Sequence, residues 1–229
     1  MTLYRLIAPQ WLMELKPQTR RVLEGRFSPK QIAKHNADGY NIYYLPNTPS
    51  QYSNDTIIDG SQIDTFEWVF CDMDLKDGAY PDKDSFLIAL GEVGIFPSKI
   101  IDSGNGVHAY WKVSSLDAMS YLRFQRRLMK LFKTDEAVGQ LFQLMRHPGT
   151  MNTKKQGAYV PCELLLESWT IYTAEELDRL LPPITLEDEA YCQLHYDKTY
   201  NLNQDQQVIN EELPAKFHSN FNVFAVVLV

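Results

Sequence analysis

Residues 65–74, Thr-Phe-Glu-Trp-Val-Phe-Cys-Asp-Met-Asp, place two carboxylates at the end of a nearly continuous apolar run. Its length and its aromatic and branched side chains predict a buried β-strand over Thr65–Met73. Side chains alternate across a strand, so Asp72 and Asp74 project from one face. Paired charges there need a countercharge if they are buried. A divalent cation is one solution, and hard oxygen ligands suit Mg²⁺ or Mn²⁺. Solvated turn aspartates, helped by Asp77-Gly78, are the other; Asp-x-Asp alone does not choose.

The residues beyond Asp74 restrict the fold further. A helix is predicted over about Lys83–Val93, with Gly94 as its stop. Strands at Ile100–Ser103 and Val107–Val113 are joined by Gly104-Asn105-Gly106, a hairpin signal. This β-α-β-β order belongs to small ferredoxin-like or RNA-recognition-like sheets, not to a doubly wound sheet.

Upstream, a helix around Leu12–Leu23 precedes a second that starts at Ser28-Pro29, runs to about Asn36 and is stopped by Ala37-Asp38-Gly39. Tyr40–Leu45 reads as an aromatic-rich strand, and Pro46–Ser61 as a polar loop. Downstream come an amphipathic helix over Asp117–Lys133, a helix over about Asp135–Met145 and a turn-rich basic stretch, Arg146–Lys155. A strand at Tyr159–Leu166 and a helix at Ala174–Leu181, closed by Pro182-Pro183, complete the pattern. The fold class is α+β: a small N-terminal α/β module (1–63), an RNA-recognition-like mixed or antiparallel sheet (64–183) and an acidic extension (184–229). That extension carries a weak helical signal near Gln204–Glu212. Its last residues, Phe221–Val229, are apolar but too few to span a bilayer; they suggest a chain cut from a longer protein, or a tail that packs on a partner.

The net charge of −7 argues at first against a nucleic-acid enzyme, but the distribution weakens that objection. Residues 163–213 hold twelve Asp and Glu against Arg179 and Lys198, whereas residues 1–162 hold nineteen Lys and Arg against seventeen acids. On the 117–133 helix, Tyr121, Phe124, Leu128, Leu131 and Phe132 share one side. Arg123, Arg126, Arg127, Lys130 and Lys133 share the other, as a solvated face or as a phosphate contact through Arg123, Arg127 and Lys130. The three cysteines have no CxxC spacing, and Cys192 with His195 lacks two further partners, so neither a disulfide framework nor a typical zinc site is indicated. Arg5 and the polar stretch from Glu14 break any apolar run near the start, so no signal peptide is read and a cytoplasmic location without a membrane partner is expected.

Three features call for one explanation: the paired aspartates, a glycine-bracketed turn leading to His108, and Arg-x-Pro-Gly-Thr-x-Asn-x-Lys from 146 to 154. Gly104 and Gly106 permit close backbone approach of a ligand just before His108. Arg146 and Lys154 supply a fork-shaped and a point-like cation for phosphates. Carboxylates for metals with a histidine and cations for phosphates form the toolkit of nucleotidyl transfer.

The succession FCDMDLKDG, IIDSGNGVHAYWKV and DEAVGQLFQLMRHPGTMNTK resembles the archaeo-eukaryotic primase (AEP) superfamily over about residues 30–180. The likeness is strongest to primase-polymerases of phages and plasmids, including RepB-like replication primases. It implies template-directed nucleotidyl transfer with two Mg²⁺ or Mn²⁺ ions held by Asp72, Asp74 and Asp135, Glu136 being the fallback for the third. It assigns His108, with Arg146 and Lys154, to the incoming nucleotide's phosphates. The expected partners are a single-stranded DNA template and primer, (d)NTPs and a fused or associated replicative helicase, acting in a host cytoplasm. Two departures stand out. Gln140 occupies a place where relatives often carry a second Asp, and Gly106 one where many carry Ser, a role Ser103 or a backbone N–H would take over.

Two rival functions share parts of this pattern. A haloacid-dehalogenase-type phosphatase wants Thr or Val where Lys76 stands, and a Rossmann-like order instead of a hairpin. A catalytically inactive replication initiator or nucleic-acid-binding module of the same fold is the stronger alternative, kept open by Gln140 and the acidic total charge.

Overall fold

The computed structural model describes residues 2–49, 60–135 and 139–212. The chain begins with β1 (Tyr4–Ile7), α1 (Gln10–Leu15), β2 (Val22–Gly25), α2 (Pro29–Ala37) and β3 (Asn41–Tyr44). β1 lies between β2 and β3, antiparallel to both, with Leu6 in register with Leu23 and Ile42. Leu6, Leu12, Ile32 and Ile42 are buried in the core of this layer. α2 opens with a capping box: Ser28 and Gln31 each accept the other's backbone N–H, and Pro29 sits where no intrahelical donor is needed. The helix expected over 12–23 is shorter. Pro17 has no N–H with which to extend it, so α1 ends at Leu15 and the chain returns as β2. β1, only four residues long, is an addition to the sequence reading.

The second layer has the β-α-β-β order: β4 (Phe66–Asp74), α3 (Lys83–Glu92), β5 (Lys99–Asp102), β6 (Gly106–Leu116) and then α4 (Ala118–Phe132). β6 is central, with β4 antiparallel along one edge and β5 along the other. Alternation sends Val69, Cys71 and Met73 of β4, with Val107, Ala109 and Trp111 of β6, into the core. Trp111 stacks there on Phe132 of α4, ring centroids 5.6 Å apart. The opposite face carries Trp68, Phe70 and Asp72 beside Lys112, Tyr110 and His108, and Tyr44 of the first layer hydrogen-bonds Tyr110.

The remaining elements are β7 (Met145–Arg146), β8 (Thr150–Asn152), β9 (Val160–Glu167), β10 (Ile171–Tyr172), α5 (Ala174–Leu180) and α6 (Leu186–Glu212). β9 and β8 extend the sheet beyond β5, and β10 lies parallel to β6. β7 instead joins β3 in the first sheet. Residues 145–153 therefore sew the layers together. Trp11 donates to the Thr153 carbonyl (2.8 Å), Asn36 holds the Met151 peptide at both its polar groups, and the Thr153 hydroxyl donates to the Gly39 carbonyl (2.6 Å). A boundary near residue 63 marks where the second sheet begins, but the first sheet is completed only by β7. The helix read over 135–145 is corrected as well: residues 140–144 are not helical, and Met145–Arg146 are extended. Backbone pairing at Asp135 and at Met145 draws this segment onto two sheets and overrides its helical propensity.

The basic stripe of α4 has an intramolecular use: Arg123, Arg127 and Lys130, the residues expected to contact nucleic acid, are engaged by the C-terminal segment. Asp188, 3 % exposed, accepts from Arg126 (3.0 Å), Lys130 (2.8 Å) and Thr185 (2.6 Å). Arg127 is buried against Asp178 and the carbonyls of Leu181 and Pro182, and Arg123 pairs with Glu189 at 2.9 Å. The acidic C-terminal segment thus neutralises the helix it covers. The weak helical signal near 204–212 is the end of a helix running from Leu186, and the apolar stretch 221–229 lies outside the described residues. No helix among the described residues is long and apolar enough to cross a membrane.

Burial would raise the Asp188 pKa, but the bonds from Lys130, Thr185 and Arg126 win and hold the carboxyl well below the usual carboxylate range. Its contribution to stability is therefore complete above that ordinary range and fades as the pH falls below it. Asp188→Asn is expected to cost about 3 kcal/mol by removing the buried carboxylate that Arg126 and Lys130 share. Urea denaturation at neutral pH checks this, and the difference from wild type should shrink in strong acid.

Candidate active site

The outer edge of β4 pairs with no strand among the described residues, so its peptide groups need other partners. Three distant residues provide them. The Asn47 side chain accepts from Trp68 N–H (2.9 Å) and donates to the Trp68 carbonyl (2.8 Å). Gln125 of α4 treats Phe70 alike, accepting from its N–H at 3.1 Å and donating to its carbonyl. At Asp72 the partner is backbone: Asp135 N–H donates to the Asp72 carbonyl at 3.1 Å. One strand edge thereby carries a residue 63 positions downstream to the first aspartate.

The register places Asp72 opposite His108 and Asp74 opposite Gly106. His108 Nε2 stands 3.5 Å from Asp72 Oδ1, and its Nδ1 lies 3.2 Å from the Tyr110 hydroxyl. The imidazole is buried yet faces a carboxylate, not apolar side chains alone. Burial, then the charges of Asp135 and Asp74, raise the Asp72 pKa above the ordinary range, with His108 opposing. Burial, aided by Arg146, lowers that of His108 against the pull of Asp72. The neighbouring carboxylates thus disfavour charge on Asp72, beside a histidine that favours its neutral form.

Asp74 is engaged locally. It caps the short turn Leu75–Asp77, accepting from the Lys76 N–H (3.1 Å) and ammonium (2.9 Å). Burial acts to raise its pKa, but the Lys76 bonds prevail and Lys154 adds to them, so it falls below the ordinary range. Among the described residues, no three His, Cys, Asp or Glu side chains form a closed ligand set. A divalent cation beside Asp72 would relieve the repulsion that Asp135 and Asp74 exert on its carboxyl. Glu136 lies outside the described residues.

Arg146 projects from β7 and donates to Asn41 Oδ1 (2.7 Å) and the Tyr43 hydroxyl (3.2 Å), its guanidinium 5.0 Å from the Tyr43 ring centroid. Lys154 is exposed. Ser103 is buried, and its N–H donates to the Gly106 carbonyl at 3.0 Å. Two further residues were not singled out from the sequence. Lys83 donates to both Asp102 oxygens (2.7 and 2.8 Å) and to the Gly104 carbonyl (3.0 Å), while Asp102 accepts from Gly104 N–H (2.8 Å). This brace holds the turn that leads to His108. No sequence pattern marks it, because its members are 19 residues apart on a helix and a strand. Arg123, Arg127 and Lys130 stand apart from this group, engaged by the C-terminal segment.

Gly106 is explained by packing. A Cβ there would collide with the Met73 carbonyl oxygen, where β4 and β6 approach closely. Gly106→Ala should force the strands apart at the Asp74 pair and cost about 1–3 kcal/mol. Thermal denaturation would measure the loss, and an unchanged midpoint would contradict the close approach.

No family model matches the chain, and no curated protein is similar to it. Solved structures are. The AEP domain of the cyanophage S-2L primase-polymerase superposes with a TM-score of 0.63 at 18 % identity, over 79 % of this chain and 89 % of that one. The primase RepB′ gives 0.53 at 14 % identity, over 92 % of this chain and 63 % of that one. Its catalytic domain in complex with initiator DNA gives 0.51 at 13 %, over 93 % and 91 %. With largely antiparallel sheets, a glycine-bracketed hairpin beside paired aspartates and, among the described residues, six α-helices in this order, the chain has the fold of the archaeo-eukaryotic primase domain.

Proposed function

We propose that this domain is a primase-polymerase, joining (d)NTPs to a 3′-hydroxyl under the direction of a DNA template in phage or plasmid replication. The observation that carries the reading is Asp72, in register with His108, two residues before Asp74 and bonded at its carbonyl by the Asp135 N–H, on a fold shared with primases. Asp72, Asp74 and Asp135 would hold two Mg²⁺ or Mn²⁺ ions, with Asp74 exchanging its bond to Lys76 for that role. Such ions, when bound, activate the attacking hydroxyl and neutralise charge on the triphosphate and departing pyrophosphate.

The chain's own groups would do the rest. His108, its ring oriented by the Tyr110 hydroxyl, is positioned to donate to a phosphate oxygen from Nε2 when Nδ1 accepts. Arg146 would add a guanidinium and Lys154 a mobile ammonium to the triphosphate. The Lys83–Asp102 brace keeps the Gly104–Gly106 backbone close enough for a ligand to lie against it. Positioning and fixed charge supply most of the catalysis in such transfers. Template and primer would be single-stranded DNA, with a fused or associated helicase as a further partner and a host cytoplasm as the setting. A non-catalytic replication protein of this fold is the second reading, favoured by Gln140 and by the bond that occupies Asp74.

Asp72→Ala combined with Asp74→Ala should lower primer extension with Mg²⁺ or Mn²⁺ by about a thousand-fold or more, on the scale of losing catalytic electrostatics, while DNA binding persists. Extension by the double variant would refute the assignment. Wild type that binds DNA but incorporates nothing with either metal or nucleotide set would favour the non-catalytic reading.

A further inference from the structure

On the sheet face that carries Asp72, the residue two pleats back along β4 is Trp68. Its cross-strand partner on β6 is Lys112, and Lys99 of β5 is in register with the neighbouring Tyr110. Both lysines reach the indole: Lys99 Nζ lies 4.8 Å and Lys112 Nζ 5.6 Å from its ring centroid. Trp68 meets Tyr110 edge-on at 6.2 Å and 87°, and Tyr110 contacts His108. A row of aromatic rings therefore runs from the acidic end of the face to a tryptophan contacted by two cations.

Packing alone accounts poorly for that end of the row. Phe70 and Tyr110 are 1 % exposed, whereas Trp68 is only partly buried. Among the described residues, the one carboxylate paired with these lysines is Glu167, 60 % exposed and 3.4 Å from Lys99. Two ammonium groups over one ring repel each other, and one solvated carboxylate does not balance them. Burial and then the Lys99 charge push the nearby His147 imidazole down. The main chain that carries the ring is fixed, because Asn47 bonds both polar groups of the Trp68 peptide. A ligand with an anionic group and a flat aromatic face would satisfy both features at once, and that combination is a nucleotide unit.

We propose that Trp68, Lys99 and Lys112 form a contact site for single-stranded DNA on this face, with a base against the indole and phosphate on the lysines. Trp68 lies four positions from Asp72 along the strand, about 13 Å, so the site would hold the DNA a few nucleotides from the carboxylates. Only the link to that chemistry rests on the proposed function; strand binding itself does not.

The test is equilibrium binding of a fluorescein-labelled oligothymidylate to the full chain, by anisotropy, in EDTA and over a series of salt concentrations. Trp68→Ala should weaken binding about ten-fold, the scale of one stacked base, and Trp68→Phe should retain most of the affinity. Lys99→Gln and Lys112→Gln should each flatten the salt dependence by about 0.7 in log–log slope, one phosphate contact apiece. Unchanged affinity and slope in all these variants, with wild type binding normally, would overturn the site; so would wild type that fails to bind. Should Trp68→Ala misfold, the lysine slopes decide by themselves. Variants that lose DNA in a protein that incorporates no nucleotide would uphold the site and defeat the proposed activity.

Discussion

The need to satisfy the open edge of β4 organises the rest of this structure. An edge strand that is largely buried cannot leave its N–H and C=O groups without partners. Asn47, Gln125 and Asp135 answer that need at alternate residues, from the first layer, the long helix and the segment after it. The consequence is chemical as well as structural. By bonding the Asp72 carbonyl, the Asp135 peptide brings a third acidic residue to the strand end where two already stand. Their charges then add to the effect of burial in raising the Asp72 pKa.

The same economy governs charge elsewhere. The C-terminal third carries most of the acidity, and part of it meets the basic stripe of α4 through Asp178, Asp188 and Glu189. The overall charge of −7 is therefore a poor guide to the face that bears the candidate site. There the cations belong to other elements: Lys76 in the turn after β4, Lys99 and Lys112 on the sheet, Arg146 on β7 and Lys154 beyond β8. A cationic stripe at helical spacing looks alike whether water, phosphate or a distant carboxylate covers it. Only the path of the chain after Leu181 distinguishes these cases.

Much of the fold was legible where a signal is local. The apolar run before Asp72, the Asn-Gly turn before His108 and the Ser-Pro start of α2 each specify their own geometry, and the structure matches them closely. The failures have one character. Residues 12–23 and 135–145 carry helical propensity, but Pro17 cuts short the first, and backbone pairing draws the second onto strands. The Lys83–Asp102 brace and the Trp68–Lys99–Lys112 group lay beyond sequence reading because no spacing links residues that meet across a sheet.

The sequence by itself determined the order of strands and helices in the second layer. It also put Asp72 and Asp74 two residues apart at one strand end and His108 just after a tight hairpin turn, because alternation and turn geometry arise from adjacent residues. Tertiary structure alone decided which acidic residue joins them, which cations remain near the site and which are consumed by the C-terminal segment. Those outcomes turn on long-range pairing of buried peptide and charged groups, whose partners are chosen by proximity in space and not by separation along the chain.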